Sequence, residues 1–243
     1  MPTTTTLVRP LTARSVVLSL LLGAHPPRLP VRDIVDAGEE FGISSTTMRV
    51  ALTRLVQAGD LVAEQAVYGL SARHLERQQA QDSEMDPVQR RWDGTWETIV
   101  VTSTGRDAAS RADLRRRLTS RRLGMLREGV WMRPDNLPRN SSPEPDTTRL
   151  VSSHDDPSAL AQQLWDLDRW AATGRELLDA TANGPTFADR FTGAAALVRH
   201  LRTDPALPDE LLPNDWPGAA MRQGYEDFRT EIKRLRQPIE GVS

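Results

Sequence analysis

The sequence predicts an α+β protein with helices at both ends and a short sheet between them. Three observations carry this. Apolar residues recur at helical spacing through the first sixty positions, and again from Pro157 onward. The run "WETIVVTS", starting at Trp96, is rich in β-branched residues and alternates at period two, as a strand does. Between the first helices and that strand lies "ARHLERQQAQDSEMDP", polar, glutamine-rich and closed by proline, which reads as a short connecting helix followed by a linker.

The first helix is "LTARSVVLSLLLG", capped at Thr12 and stopped at Gly23, with Val16, Val17, Leu20 and Leu21 as its buried side. The second, "LPVRDIVDAGEEFG", turns Val31, Ile34 and Val35 inward and closes on Phe41. Gly42 makes the turn into the third. There Ser44 is the N-cap and Ile43 a staple residue. Met48, Ala51, Leu52 and Leu55 form one apolar face, and Gly59 is a left-handed stop. Thr46, Arg49, Val50, Thr53 and Gln57 point away from that face, with Ser45 and Arg54 on its flanks. No acid occurs until Asp60, whereas a solvated helix face usually mixes Glu with Lys or Arg. "DLVAEQAVYGLS" then gives two short strands, Leu61–Glu64 and 67–71. Three helices followed by a hairpin make a winged helix-turn-helix over residues 1–75, whose third helix enters the major groove of double-stranded DNA. Ser44, Ser45 and Thr46 suit close approach to phosphate, and Arg49, Val50, Thr53 and Arg54 suit nucleic-acid contact. For Arg54, nearer the core flank, a phosphate contact and a buried structural role are both open. The wing connection "AEQAVYG" has no arginine or lysine, and Gln65 is its one obvious polar contact.

At 243 residues the chain can hold more than one core. It has 38% hydrophobic and 26% charged residues, as a globular protein does. No run of about eighteen apolar residues occurs, so no membrane span is expected, and cytoplasmic residence is the default. There is no cysteine, which excludes disulfides and thiolate metal sites. The four histidines, His25, His74, His154 and His200, show no ligand spacing, and no metal or cofactor is expected. Net charge is only −2, but it is unevenly spread. Residues 88–140 carry twelve arginines against six acids, whereas residues 141–243 carry eleven basic against seventeen acidic groups.

After a linker over 76–90, a central domain spans 91–156. A helix over 107–123 follows the first strand, with Ala108, Leu114, Leu118 and Leu123 as its apolar face and six arginines on the rest. "MLREGVWMRPDNL" reads as a second strand, with Val130 and Met132 on one face and Trp131 and Arg133 on the other, stopped by Pro134. Strand, helix and strand with a short return are half of a ferredoxin-like unit. "RNSSPEPDTT" is a loop by composition, and "RLVSSH" is a candidate third strand. A C-terminal helical domain spans 157–243. Its first helix carries Leu160, Leu164, Leu167 and Ala171, with Trp165 and Trp170 on the flank. A second carries Phe187, Phe191, Ala195 and Val198, and a last one Met221, Tyr225, Phe228 and Ile232.

"TARSVVLSLLLG", "FGISSTTMRVALTRLVQAGDLV", "WDGTWETIVV", "GVWMRPDNL" and "DPALPDELLPNDWPG", in this order and spacing, resemble the PaaX family of transcriptional repressors. The resemblance runs from about Leu11 to Phe228. The first two blocks are only winged-helix signals, and the last three are far more specific. It implies a homodimeric DNA-binding repressor with a winged helix, a central ferredoxin-like domain similar to the small CRISPR spacer-acquisition nuclease subunit, and a C-terminal helical domain. It also implies repression of an aromatic, phenylacetate-type catabolic operon and release from operator DNA by phenylacetyl-CoA or another acyl-CoA. Dimer contacts are expected in the central and C-terminal regions, where Trp131, Trp165 and Trp170 are candidate spare apolar surface.

An acyl-CoA effector needs cations for its phosphates and an apolar slot for its acyl group. The dense cluster Arg115, Arg116, Arg117, Arg121 and Arg122 is the candidate for the first, with Arg133 on the neighbouring strand and Trp131 for the slot. The plainer reading of the same cluster is a solvated helix face, or one paired with the acidic C-terminal region. The rival function is a metal-dependent nucleic-acid-processing enzyme built on the central ferredoxin-like domain. That requires an acid at the end of the first strand, where the sequence instead reads "VVTSTG". Asp107, beyond it, suits a helix cap. Nucleophile-elbow, P-loop and dinucleotide motifs are absent.

Overall fold

A computed structural model describes residues 11–24, 26–85, 87–139 and 144–236. Contacts divide the chain into two compact units. One holds the described residues within 1–85, 174–201 and 219–243, and the other those within 86–173 and 202–218. The stretch from 157 onward therefore contributes to both.

In the first unit, Thr12 caps α1 (Ala13–Gly23) by accepting a hydrogen bond from the Ser15 amide. A short strand, β1 (Arg28–Pro30), leads directly into α2 (Val31–Glu40), and Gly42, at φ +66°, turns the chain toward α3 (Ser45–Gln57). The helices meet closely because Gly38 has no side chain: a Cβ there would lie 2.4 Å from Met48 Cγ. Val16, Val17, Leu20, Leu21, Ile34, Met48, Leu52 and Leu55 fill the space between them. The hairpin β2 (Leu61–Glu64) and β3 (Val67–Leu70) closes on Gln65 and Ala66, both at positive φ, the two-residue geometry that matches strand twist. β1 adds to β3, giving the order β1-β3-β2. β1 was not legible in the sequence. It is three residues long and ends in a proline, so it offers no period to read, and its buried Leu29 is held by pairing with Tyr68.

The expected linker begins as a long helix, α4 (Ala72–Met85). Gln78 donates from its side-chain amide to the carbonyls of Leu22 and Ala24, tying α4 to the end of α1. Asp60, just after α3, is 1% exposed. It accepts hydrogen bonds from Arg14 on α1 at 2.7 Å, from Arg73, and from His74 Nε2 at 3.0 Å. The helices α8 (Phe187–Leu201) and α9 (Gly218–Arg236) complete the unit with the C-terminal part of α7 (Leu167–Asn183). Phe41, at the end of α2, meets Phe191 edge-on at 5.2 Å and Phe187 at 6.4 Å, and both of those rings lie 6.1 Å from Phe228.

The second unit is built on β4 (Trp96–Val101), α5 (Ala108–Ser120), β5 (Gly124–Arg127), β6 (Val130–Pro134) and β7 (Thr147–Ser152). The sheet order β5-β6-β4-β7, antiparallel throughout, is that of a ferredoxin-like fold. The described residues between β6 and β7 carry no helix. The stretch expected as one second strand is a hairpin: Gly129, at φ +80°, turns the chain between β5 and β6. Of "RLVSSH", Arg149 to Ser152 lie in the fourth strand. On one face Ile99 and Trp131 pack against Leu114, Leu118 and Leu123. On the other, Trp96 and Met132 pack against Leu160, Ala161, Leu167, Leu207 and Leu211.

The expected single helix from Pro157 is two, α6 (Pro157–Leu164) and α7. Trp165 is extended, and Asp166 then caps α7, accepting from the Arg169 amide at 3.2 Å. An i, i+3 apolar rhythm continues across the break, so it cannot be seen in the spacing. The tryptophans are used within the unit. Trp131 is buried, Trp165 packs against the Trp96 cluster, and Trp170 stacks on Trp216 at 4.3 Å. They are not spare surface. The exposed apolar residues of the sheet are Leu150 and Val151 on its edge strand β7, and Met125 on β5.

Candidate nucleic-acid interface and effector region

The exposed face of α3 follows from its cap and its apolar stripe. Ser44 Oγ accepts from the Thr47 amide at 3.3 Å and fixes the start of the helix. Burial of Met48, Leu52 and Leu55 then turns Ser45, Thr46, Arg49, Val50, Thr53, Arg54 and Gln57 to solvent. Thr46, Arg49, Val50, Thr53, Arg54 and Gln57 together line one shallow depression. Ser44 and Ser45 sit exposed at the helix start. Arg54 is exposed, which removes the buried structural role as a reading of it. Thr53 donates its hydroxyl to the Arg49 carbonyl at 3.0 Å and stays exposed. Val50 is 44% exposed, an apolar side chain held in solvent among polar ones.

The helix contains no acid, and neither Arg49 nor Arg54 meets a carboxylate among the described residues. Positive charge, hydroxyls and methyl groups share this exposed face, the chemical types that contact phosphates and base edges in nucleic-acid complexes. The hairpin beside it lacks cations of its own. Pairing with β1 supplies one that the sequence reading missed: Arg28, exposed, donates to Glu64 at 2.8 Å. Only the pairing of β1 with β3 could have revealed it.

In the second unit the predicted effector residues separate. Arg116 pairs with Asp113, and Arg117 donates to Glu144 at 2.7 Å, a bond that raises its pKa above the ordinary arginine value. Arg133 is buried. It donates to Glu97 at 2.7 Å and to the carbonyls of Arg121 and Pro138. Glu97 is fully buried and also faces Arg121 at 3.4 Å and Arg149 at 3.0 Å. Of the predicted set, Arg115 and Trp131 line a common cavity. Arg122 donates to the Asp204 carbonyl.

The three most specific sequence blocks are architectural. In "WDGTW", Trp92 donates to the Thr95 carbonyl at 2.6 Å, Asp93 accepts from the Thr95 amide at 3.0 Å, and Trp96 fills the core. In "RPDNL", Asp135 accepts from Arg90 and Arg139, while Asn136 donates to the Ala206 carbonyl at 2.8 Å. In "LPDELLPNDWPG", Leu207 and Leu211 enter the Trp96 cluster.

Asp107 is engaged as a cap, accepting from the Ser110 amide at 2.7 Å, and that bond holds its carboxyl below the usual value. Among the described residues no group of three or more His, Cys, Asp or Glu could hold a metal ion. Among them, too, no helix is long and apolar enough to cross a membrane.

Three family models match the chain in order: a PaaX-like protein over residues 12–74, a PaaX protein central Cas2-like domain over 89–150 and a PaaX-like protein C-terminal domain over 159–239. Among solved structures, the chain is similar to the uncharacterized protein Rv0674 from Mycobacterium tuberculosis. The two are 50% identical over 93% of this chain and 97% of that one, with a TM-score of 0.86. No curated protein matches it.

Proposed function

The chain belongs to the PaaX family, whose members are transcriptional regulators, and from that premise we propose that it binds double-stranded operator DNA through α3 as a ligand-responsive repressor. The observation that carries this is the acid-free outer face of α3, with Arg49 and Arg54 held outward and unpaired with any carboxylate among the described residues. The protein acts as a homodimer, because a single winged helix offers little surface for tight specific binding. The edge strand β7, with Leu150 and Val151 exposed, is the apolar surface that favours self-association in the second unit. Control of an aromatic catabolic operon and release by an acyl-CoA such as phenylacetyl-CoA rest on the family resemblance.

Arg49→Ala tests the central point. It removes a solvent-exposed side chain, so the thermal midpoint should not change. Loss of a bidentate base contact should weaken operator binding by about 1–3 kcal/mol. Measured against salt, wild-type affinity should fall steeply, because each phosphate neutralised releases counterions. If Arg49→Ala binds operator and random DNA as the wild type does, α3 is not the reading helix.

A further inference from the structure

Beyond β4 the chain turns through Ser103, Thr104 and Gly105 before α5 begins. That turn, the first half of α5 and the tip of the β5–β6 hairpin enclose a cavity of about 340 Å³. The size is that of a site for a small ligand. Its back is apolar, formed by Val101, Leu114, Met125 and Trp131. Its charged groups are Arg106, Arg111, Arg115 and Glu128. Arg106 is engaged, donating to Ser103 Oγ at 2.6 Å and pairing with Asp146 at 3.2 Å. Arg111 donates to the Arg106 carbonyl at 2.7 Å, which holds it in place without neutralising it. Among the described residues Arg115 has only the sulfur of Met125, at 3.9 Å. Neither Arg111 nor Arg115 meets a carboxylate among the described residues.

Two guanidiniums that pair with no carboxylate at hydrogen-bond distance among the described residues, Arg111 and Arg115, stand beside an apolar wall, with Glu128 on the rim and Asp107 near Arg111. The start of α5 adds nothing to them, because the Asp107 carboxylate already occupies the helix terminus. We propose that this cavity binds a small apolar anion: an aryl or short acyl group lies against Trp131, and its carboxylate or phosphate is held by Arg111 and Arg115. Binding itself stands without DNA, and only its consequence for the operator rests on the regulator reading.

Calorimetric titration of the full chain tests this with benzoate, phenyl phosphate and the neutral isostere benzamide. At least one anion should bind, and which of the two binds tighter separates a carboxylate from a phosphate head. Benzamide should bind at least about tenfold more weakly than benzoate or phenyl phosphate, as should either anion to Arg111→Gln or Arg115→Gln, since a hydrogen bond to a charged group is lost. Arg116→Gln, whose arginine lies outside the cavity, should bind as wild type does. Met125→Trp, which fills the cavity, should abolish binding. The proposal is overturned if neither anion binds, or if binding survives both arginine changes and the filled cavity. Operator binding measured in parallel separates the two ideas. Anion binding without DNA binding sinks the regulator reading and leaves the site, and DNA binding without anion binding does the reverse.

Discussion

Asp60 in the winged helix and Glu97 in the central sheet are the same device built in two ways. Each is a carboxylate almost fully removed from water, with side-chain exposures of 2% and 0%, and each faces three basic side chains. They differ in where those partners stand. Two of Asp60's partners, Arg14 and Arg73, are 57% and 69% exposed and reach in from the surface. Glu97's partners Arg133 and Arg121 are 5% and 12% exposed and cannot retreat. Removing the Asp60 charge lets its arginines return to solvent. Removing that of Glu97 strands cations inside the sheet. A buried carboxylate held by basic side chains is therefore a surface-tensioned fastener in one unit and a fixed core element in the other.

Glu97→Gln should show the larger effect, about 3–5 kcal/mol, because it leaves buried guanidiniums without a counter-ion. Hydrogen exchange of β4 and β6 amides would report it locally, and a loss below 1 kcal/mol would erase the distinction between the sites. Asp60→Asn should cost less, about 1–3 kcal/mol, the penalty of unmaking buried hydrogen bonds whose charged partners rehydrate. Arg73→Gln should come last, within about 1 kcal/mol, as expected for an ion pair exposed on one side. High salt should narrow the gap between Arg73→Gln and wild type, and leave the effect of Glu97→Gln unchanged.

Acid sharpens the contrast further. The hydrogen bond from His74, with Arg14 and Arg73 adding to it, holds the Asp60 carboxyl below its ordinary 3.8, despite burial that pushes the other way. A carboxyl whose folded pKa is depressed contributes its full stability above its unfolded pKa and loses it as pH falls through the folded value. Unfolding of the winged helix should therefore steepen below about pH 4. Asp60→Asn should flatten that slope, and an unchanged acid limb would show that Asp60 is not the titrating group.

The parts legible in the sequence were those where local pattern and tertiary burial agree. The caps at Thr12 and Ser44, the stripe Met48, Leu52 and Leu55, and the alternation of "WETIVV" each stand alone, and each appears in the fold. What escaped depended on residues far apart in the chain. β1 exists only because β3 lies beside it. The partner of Glu97 is Arg133, directly opposite in the strand register, and would have been found only by pairing β4 with β6. The β5–β6 hairpin was read through as one strand because an apolar residue follows Gly129 at once. At the candidate interface the outward set on α3 was legible from helical spacing alone. The cavity was not, since Arg111 and Trp131 are brought together only by the sheet. The motifs that identify the family were the most visible features, and they turn out to hold the second unit together.

Phe41 sits where α2 turns toward α3, yet its ring is received by Phe187, Phe191 and Phe228, residues from the far end of the chain. The winged helix is therefore not a cassette. Cut free at residue 85, it would carry an orphaned aromatic plug, and grafted onto another body it would meet no socket. Exchange of winged helices between members of this family must carry α8 and α9 along, so the N-terminal helices and the C-terminal helices move as one piece.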